Sequence, residues 1–282
     1  MNAGDHLRAA AAALPTACGV YLFHGEPRAG QGDDDALPLY IGKSVNLRAR
    51  VQSHLRNPDE ERMLRQTRRI TYLRTAGEIG ALLLEAQLVK QRQPLYNKQL
   101  RRTRQLCSLR LSTGTDGVGG APEIVYTGDV NFAREPHLHG LFSTRRAAQE
   151  KLTELADEHR LCLGLLGLER LSTGRGCFRV MVRRCAGACR GDEPREAHDR
   201  RLAEALAAMR LHCWPYPGAV GLVEEDHELH QVHVVRDWCY LGSVERPEDA
   251  ATLARAAAGF DADGYRILCG SLLGGQARVV VF

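Results

Sequence analysis

The chain has 282 residues, 44% of them hydrophobic, so it can bury a sizeable core, and ordinary domain sizes predict two or three compact units. No stretch approaches the roughly 20 apolar residues that span a bilayer, and the Ala-rich start is too short in its apolar part for a signal peptide. These features predict a cytoplasmic protein without a membrane segment. The net charge is only +4, yet residues 43 to 110 carry 16 Lys and Arg against 5 Asp and Glu. This excess predicts an anionic partner for that part of the chain.

The first hundred residues are predicted to form a small α+β unit. The predicted elements are strands over residues 18–23 and 37–42, a helix capped by Ser44, a helix over about 59–68, a strand over 69–75 and a helix ending near Pro94. A loop rich in Gly and Asp joins the first two strands, which indicates a hairpin. We expect residues 20–22 to pair with residues 39–41.

The rest of the chain also mixes strands and helices. The predicted strands cover residues 107–112, 123–128, 218–225, 230–245, 264–272 and 277–282. The predicted helices run from about Thr144 to His159 with Ser143 as cap, over 200–211, and near 250–258. The predicted domains are residues 14–102, residues 103–195 with a cysteine group, and a C-terminal α+β domain over 196–282. The last domain carries no recognisable chemical signature.

Five polar side chains are predicted to meet on one surface of the first unit. Tyr40 ends the second strand and Lys43 follows directly after the turn. Arg50 and His54 are four residues apart on a helix and therefore share one face. Tyr21 lies on the partner strand, within reach of Tyr40. An apolar core does not need two phenols, an ammonium, a guanidinium and an imidazole, so this set indicates a functional site.

Glu85 is an acidic residue in a predicted helix that is rich in leucine. Such a carboxylate is expected on the exposed edge of the helix, in an ion pair, or on a metal ion. Tyr96 and Asn97 follow the helix, and for Asn97 a role in the turn is the simplest interpretation. A basic run comes next, for which a solvated face is the simplest interpretation: Arg101, Arg102 and Arg104.

Nine cysteines, an odd number, do not indicate a disulfide framework. Four of them are grouped: Cys162, Cys177, Cys185 and Cys189. Gly187 lies between the last two and allows their thiolates to approach one centre. The bordering arginines are Arg175, Arg179, Arg183, Arg184 and Arg190. The pattern suits zinc or an iron–sulfur cluster, and four unrelated buried thiols remain an alternative. Small buried hydrophobes are expected for the others: Cys18, Cys107, Cys213, Cys239 and Cys269.

The motifs of the first unit jointly resemble those of the GIY-YIG nucleases. They are GVY at 19–21, YIG at 40–42, Lys43, Arg50, Glu85 and YN at 96–97. The form is similar to the N-terminal half of UvrC, a bacterial excision-repair nuclease. The resemblance implies a mixed central sheet flanked by helices and one-metal hydrolysis of a phosphodiester. Glu85 would be the single protein ligand of Mg²⁺ or Mn²⁺.

The same resemblance implies a role for each polar residue. Tyr40 or Tyr21 would be the general base, and Lys43 beside Tyr40 is expected to lower the pKa of that phenol. Arg50 would hold the scissile phosphate. His54 stands where UvrC-type domains usually carry Tyr, so we expect an added pH dependence near neutrality.

Residues 139–189 are also similar to UvrC, where the equivalent four-cysteine segment implies a [4Fe-4S] cluster, with zinc as the alternative. The residues after the cysteines leave no room for the further UvrC domains, so the chain resembles the short UvrC homologues of the Cho type. The resemblance implies one incision on the 3′ side of a lesion in double-stranded damaged DNA, within nucleotide excision repair and the SOS response. The implied partner is UvrB, with UvrA acting upstream, and the chain is expected to be a monomer.

Two other functions stay open at this stage. A stand-alone GIY-YIG restriction or homing-like enzyme should recognise sequence, but no dedicated base-reading module is evident. A non-catalytic DNA-binding scaffold could retain the fold, although such a protein should have lost part of the polar set. The C-terminal domain is expected to contact DNA or UvrB.

Overall fold

The computed structural model describes residues 3–27, 36, 38–97, 105–111, 120–171, 176–255 and 259–282. Its chain divides into two units, the first built from residues 1–103 and 216–282 and the second from residues 104–215. The helices are α1 Ala3–Ala13, α2 Leu47–Arg56, α3 Glu61–Gln66, α4 Glu78–Arg92, α5 Arg145–Glu158, α6 Phe178–Met181, α7 Arg195–Ala207, α8 Ala251–Ala254 and α9 Ala262–Leu273. The strands are β1 Gly19–His24, β2 Pro38–Ser44, β3 Arg69–Arg74, β4 Cys107–Arg110, β5 Glu123–Tyr126, β6 Leu138–Phe142, β7 Val220–Glu225, β8 His230–Arg236, β9 Cys239–Val244 and β10 Arg278–Val281. The predicted mixture of α and β structure is confirmed.

The predicted hairpin of β1 and β2 belongs to a three-stranded antiparallel sheet with the order β2-β1-β3, in which β1 is the central strand. Tyr21 pairs with Gly42 and Phe23 pairs with Tyr40, so the expected pairing of 20–22 with 39–41 is wrong by two residues. A shift by an even number of residues keeps every side chain on its expected face. Tyr21 and Tyr40 therefore still share one face of the sheet.

Each face of this sheet is covered by helices. One face carries Tyr21 and Phe23, and it packs against Leu47 and Val51 of α2 together with part of α1. The opposite face carries Val20 and Leu22 of β1 and Ile41 of β2, which pack against Leu88 and Val89 of α4. Because β1 is buried on both faces, α4 packs tightly against the back of the two strands that carry the motifs.

The C-terminal segment belongs to the same unit as this sheet. It forms a four-stranded antiparallel sheet with the order β10-β7-β8-β9, and α9 packs beside α4. The predicted strand over 264–272 is wrong, because the segment is the helix α9. Its buried residues Tyr265, Leu268 and Leu272 follow helical spacing, and the Asp261 side chain caps its first turn.

The predicted strand over 230–245 is instead two strands, β8 and β9, joined by a tight turn. Asp237 and Trp238 adopt positive φ angles of 52° and 65° at this turn. Trp238 is fully buried and packs edge to face on Tyr265, with ring centroids 5.1 Å apart. Burial of this large ring offsets the cost of the unusual backbone.

The second unit holds a three-stranded sheet with the order β5-β4-β6, covered by α5 and α7. Its strand β6 and its short helix α6 were not predicted. The helix caps differ from the prediction by one or two residues: Thr144 rather than Ser143 caps α5, and Asn46 rather than Ser44 caps α2 in the first unit. Within the described residues, no helix is both long and apolar enough to cross a membrane.

Candidate active site and four-cysteine centre

Gly42 makes room for the ring of Tyr21 across the first two strands. A Cβ atom at this position would come within 2.6 Å of Tyr21 Cζ and 2.9 Å of Tyr40 Cε1. Any larger residue would therefore push the two phenols apart. The glycine of the YIG motif is explained by this close approach, and Tyr21 is nearly fully buried beneath it.

Tyr21, His54 and Glu60 form a hydrogen-bonded chain. The Tyr21 hydroxyl lies 2.6 Å from His54 Nε2, and His54 Nδ1 contacts the Glu60 carboxylate. Since a carboxylate accepts, Nδ1–H donates to Glu60, and Nε2 then accepts from the tyrosine hydroxyl. Burial lowers the pKa of His54, although Glu60 opposes this effect, so the imidazole is neutral in the resting site.

The sequence pattern did not predict Glu60 as a residue of this site. It lies six residues after His54 in a single 3₁₀ turn, Pro58–Glu60, which Asn57 caps through a 3.1 Å bond to the Asp59 N–H. The Asn57 side-chain amide also lies 3.3 Å from the second Glu60 oxygen. No feature of the sequence separates Glu60 from its neighbour Glu61, because the turn geometry alone brings it to the imidazole.

Tyr40 is half-buried and lies beside Tyr21, with ring centroids 6.2 Å apart. Burial and the charge of Glu85 raise its pKa, and a hydrogen bond with Tyr21 and the charge of Arg50 only partly oppose them. The expected lowering by Lys43 is wrong. Residues 40 and 43 point to opposite faces of a strand, and Lys43 Nζ is paired with Glu78 at 2.5 Å.

Glu85 lies half-buried in the middle of α4, next to the Gly42–Lys43 end of β2. Its carboxylate accepts the Lys43 backbone N–H, and within the described residues it makes no ion pair. Burial raises its pKa, while the charges of Lys43 and Arg50 lower it. Those cations favour the ionised form of Glu85, and an ionised carboxylate is the oxygen ligand that a hard divalent ion prefers.

Arg50 is exposed at the mouth of this group of side chains. A hydrogen bond with Tyr21 and the charges of Tyr21, Tyr40 and Glu60 raise its pKa, so it is always a cation. Its guanidinium is therefore placed between the phenols and solvent, where a phosphate could reach it.

Asn97 lies behind the site rather than within it. Its Oδ1 accepts the Ile41 N–H at 2.9 Å and its Nδ2 donates to the Ile41 carbonyl at 2.8 Å. Both ends of the amide are occupied by the residue next to Tyr40. The structure thus brings together Tyr21, Tyr40, Arg50, His54 and Glu85, with Lys43 at the edge and Asn97 supporting the strand.

The four grouped cysteines converge in the second unit. The Sγ atoms of Cys162, Cys177, Cys185 and Cys189 all lie within 4.8 Å of one another, and the first three are buried. Burial raises the pKa of Cys185 to about 11 despite a backbone N–H from Gly187. The pKa of Cys177 is lowered, since hydrogen bonds from the Val180 N–H and the neighbouring thiols outweigh its burial. Four such thiols suit a metal centre that holds them as thiolates.

A buried histidine holds the first of these cysteines. His198 Nε2 accepts the Cys162 backbone N–H at 3.2 Å, and its Nδ1–H donates to Asp199 at 2.9 Å. Arg195 fixes that aspartate in turn. The Cys162 backbone is therefore tied to α7. This link joins the cysteine centre to the core of its unit.

Some predictions fall on residues that are not described. Arg101, Arg102, Arg104 and Arg175 lie outside the described residues. Of the five other cysteines, Cys107 is buried as expected, and the following are half-buried: Cys18, Cys213, Cys239 and Cys269.

Three family profiles match the chain in order. They are the UvrC-like GIY-YIG domain over residues 17–98, the UvrC/Cho excinuclease middle domain over 106–208, and the excinuclease Cho C-terminal domain over 219–282. Excinuclease cho of Escherichia coli is 54% identical over 275 residues, which cover 98% of this chain and 89% of that protein. The chain belongs to the excinuclease Cho family. It is therefore an endonuclease with a UvrC-like GIY-YIG domain, and the predicted family and class of enzyme are confirmed.

Other relatives match this Cho-family chain as well. Excinuclease cho of Salmonella typhimurium is 52% identical over 276 residues, covering 98% of this chain and 90% of that protein. UvrABC system protein C of Caldicellulosiruptor saccharolyticus is 28% identical over 204 residues, covering 70% of this chain and 32% of that protein. The magnesium-bound GIY-YIG N-terminal endonuclease domain of UvrC from Thermotoga maritima is 28% identical, covers 34% of this chain and 99% of that domain, and has a TM-score of 0.29.

Proposed function

We propose that this chain is a structure-directed endonuclease of nucleotide excision repair that cuts damaged double-stranded DNA on the 3′ side of a lesion. The observation that carries the proposal is the hydrogen-bonded chain Tyr21–His54–Glu60, which lies beside Arg50 and Glu85. A proton acceptor, a phosphate ligand and a metal-binding carboxylate are the parts that hydrolysis of a phosphodiester needs.

The proton of the attacking water is proposed to pass through the phenols to His54. A buried phenol with a raised pKa is a poor base when it must become a free phenolate. It can instead accept a proton from water while it donates its own proton inward, so that no phenolate accumulates. Tyr40 is the outer phenol and would contact water, Tyr21 is the inner phenol, and neutral His54 receives the proton. Glu60 would stabilise the imidazolium that forms.

The remaining residues are proposed to act on the phosphate. Glu85 would hold one Mg²⁺ or Mn²⁺ ion, which when bound supplies Lewis-acid stabilisation of the charge that develops on the phosphate. Arg50, a permanent cation at the exposed mouth, would bind a non-bridging oxygen of the same phosphate. Lys43 and its partner Glu78 would fix the end of β2 against α4. Asn97 would position Tyr40 through the Ile41 backbone.

The four cysteines are proposed to hold a structural metal centre. The resemblance to UvrC favours a [4Fe-4S] cluster. Four sulfur atoms within 4.8 Å of one another are close enough to bind one centre, and zinc bound by four thiolates is the alternative to the cluster. Visible absorption and metal analysis of anaerobically purified protein separate these two outcomes.

The resemblance also supports the proposed partners and organisation. DNA loaded with UvrB, after the action of UvrA, is the proposed substrate, and the chain is proposed to act as a monomer. The proposed domains are a nuclease over residues 14–102, a middle region with the cysteine centre over 103–195, and a C-terminal domain over 196–282.

Substitution of the metal-binding carboxylate tests the proposed nuclease chemistry. Glu85→Gln should abolish metal-dependent cleavage of a lesion-bearing duplex, because a neutral amide binds a hard dication weakly. Its DNA affinity measured without divalent ions should stay within about twofold of the parent, since Glu85 would contact DNA only through the ion. Cleavage by this variant within tenfold of the parent rate would reject Glu85 as the metal ligand.

A further inference from the structure

The first turn of α4 is capped by a side chain from the far end of the sequence. Its own N-cap residue is Gly77, which has no side chain to offer. Glu224 of β7 takes this role: its Oε1 accepts the Ile79 N–H at 3.0 Å and its Oε2 accepts the Gly80 N–H at 2.7 Å. A helix start leaves several N–H groups without partners, and a carboxylate there also stabilises the helix dipole. The Cho-type C-terminal domain thus completes a helix of the nuclease domain.

Glu224 is itself held in place by three further side chains. Its Oε2 lies 3.0 Å from His233 Nε2, and His233 Nδ1 lies 2.6 Å from Ser243 Oγ. The Tyr240 hydroxyl contacts the same serine at 2.6 Å. His233 is almost fully buried. A hydrogen-bonded chain of this kind on two neighbouring strands restricts the movement of the carboxylate.

The contact surface on α4 is shaped to receive this carboxylate. A Cβ atom at Gly77 would lie 2.8 Å from Glu224 Oε2, and one at Gly80 would lie 2.5 Å from His233 Nε2. Neither position is at a positive φ angle, so these glycines serve the close approach rather than a turn. The close packing of Glu224 and His233 against α4 thus explains why both positions are glycine.

The other end of α4 is held by the same C-terminal segment. Lys90 Nζ lies 2.5 Å from Asp261 Oδ1 and 2.9 Å from Asp263 Oδ2, and these residues begin α9. Just before α4, the Ala76 N–H donates to the Gln231 side chain at 2.8 Å. Glu85 lies between the two attachments. The C-terminal segment therefore fixes the position and the rotation of α4, the helix that carries Glu85.

We infer that Glu224 is a positioning residue of the nuclease centre, acting through α4 on Glu85 and on the Glu78–Lys43 pair. The inference rests on the proposed role of Glu85 as metal ligand. Glu78 lies in the first turn of α4, directly where Glu224 binds, and Lys43 follows the YIG motif. A shift of this turn would move both contacts of β2 together. A displacement of about 1 Å at a catalytic group can lower the rate by about 10².

The test compares Glu224→Ala with the parent in single-turnover cleavage over a range of Mg²⁺ or Mn²⁺ concentrations. We expect the metal concentration for half-maximal rate to rise by about tenfold or more, with a lower maximal rate and DNA affinity within about twofold. Glu224→Gln keeps one acceptor oxygen and should recover part of the loss. Amide exchange of Ile79 and Gly80 in the metal-free protein should rise by about tenfold in Glu224→Ala.

Two controls keep the outcome specific. Glu225→Gln alters the exposed neighbour on the same strand, which pairs with Arg278, and should leave both readouts unchanged. Val234→Ala removes packing from the opposite side of the C-terminal sheet and loosens the domain without touching α4. If Val234→Ala at a matched loss of Tm shifts the metal dependence as much as Glu224→Ala, the positioning role is rejected.

Failure of this inference is distinguishable from failure of the proposed function. Faster amide exchange at Ile79 and Gly80 with unchanged metal dependence would overturn the positioning role and leave the nuclease assignment intact. Full cleavage by Glu85→Gln would overturn the metal site, and with it the proposed effect of Glu224 on metal binding. Unchanged amide exchange in Glu224→Ala would overturn the cap itself.

Discussion

Removing the charge of Glu60 should slow the nuclease and change its pH dependence. In the proposed reaction, neutral His54 receives a proton and becomes an imidazolium that Glu60 stabilises. Glu60→Gln preserves the size of the side chain but replaces the carboxylate with a neutral amide. In the resting site the amide can still accept the hydrogen bond from neutral His54. In the transition state the imidazolium loses its negatively charged partner.

The expected size of the effect follows from the burial of the pair. His54 is 3% exposed and Glu60 is 28% exposed. A hydrogen bond to a charged group contributes about 1.5–3 kcal/mol, and partial exposure of Glu60 favours the lower end of that range. A loss of about 1.5 kcal/mol corresponds to about a tenfold lower rate.

The sign of the pH effect is set by the two influences on His54. Burial lowers its pKa and Glu60 raises it, so removal of the charge lowers the pKa further. Since the neutral imidazole is the active form, the fall in rate on the acidic side should move to lower pH. Glu85 must also lose its proton, but Glu60 is not among the groups that perturb its pKa.

Single-turnover rates across pH, with the His54 ring titration followed by NMR, measure both effects. Glu61→Gln is the matched control, because Glu61 is the exposed neighbour that pairs with Arg65 at 2.7 Å. A Glu60→Gln rate within twofold of the parent, or an equal loss in Glu61→Gln, would refute the proton path. A loss of rate without a lower His54 pKa would refute the role of the Glu60 charge.

Three further predictions concern the phosphate, the cysteines and the basic surface. Arg50→Ala should lower the single-turnover rate by about 10², as is typical for loss of one electrostatic stabiliser; a rate within threefold of the parent would reject the phosphate contact. Cys185→Ser should reduce bound metal, measured by elemental analysis, whereas Cys213→Ser should not; equal metal content in both would reject the four-cysteine centre. Arg62→Gln should reduce the slope of log affinity against log salt by about one, because Arg62 is exposed and makes no ion pair within the described residues. An unchanged slope would place Arg62 outside the DNA surface.

Fewer basic side chains of residues 43–110 are available to bind DNA than the sequence indicates. Several cations of residues 43–110 pair with carboxylates elsewhere in the chain, as Arg68 does with Glu26 and Arg74 with Asp226. Charge counting along a sequence cannot show such pairs, because the partners are set by the fold. The exposed arginines near the site, including Arg50 and Arg62, are the stronger candidates for DNA contacts.

Local patterns predicted the parts of the site that lie within one element. The helix α4 with Glu85 in its middle follows from its length and its leucine spacing, and the shared face of Arg50 and His54 follows from helical geometry. The pairing of β1 with β2 was predicted two residues out of register, because a long loop does not fix register as a tight turn does.

Contacts between distant segments could not be predicted in the same way. Glu224 meets α4 across more than a hundred residues, and no local pattern marks it. The helix α9 was predicted as a strand because Tyr and Ile favour strands, although Asp261 in front of it is a helix cap. Capping residues therefore carried information that the apolar pattern alone did not.

Mapping of the cut on an end-labelled duplex with one defined lesion tests the central claim most directly. The chain should be incubated with Mg²⁺ or Mn²⁺, with and without UvrB loaded on the DNA, beside Glu85→Gln. We predict one incision on the 3′ side of the lesion that depends on UvrB and is lost in Glu85→Gln. A cut on the 5′ side, a cut at a fixed sequence regardless of the lesion, or no cut by the parent chain would contradict the account.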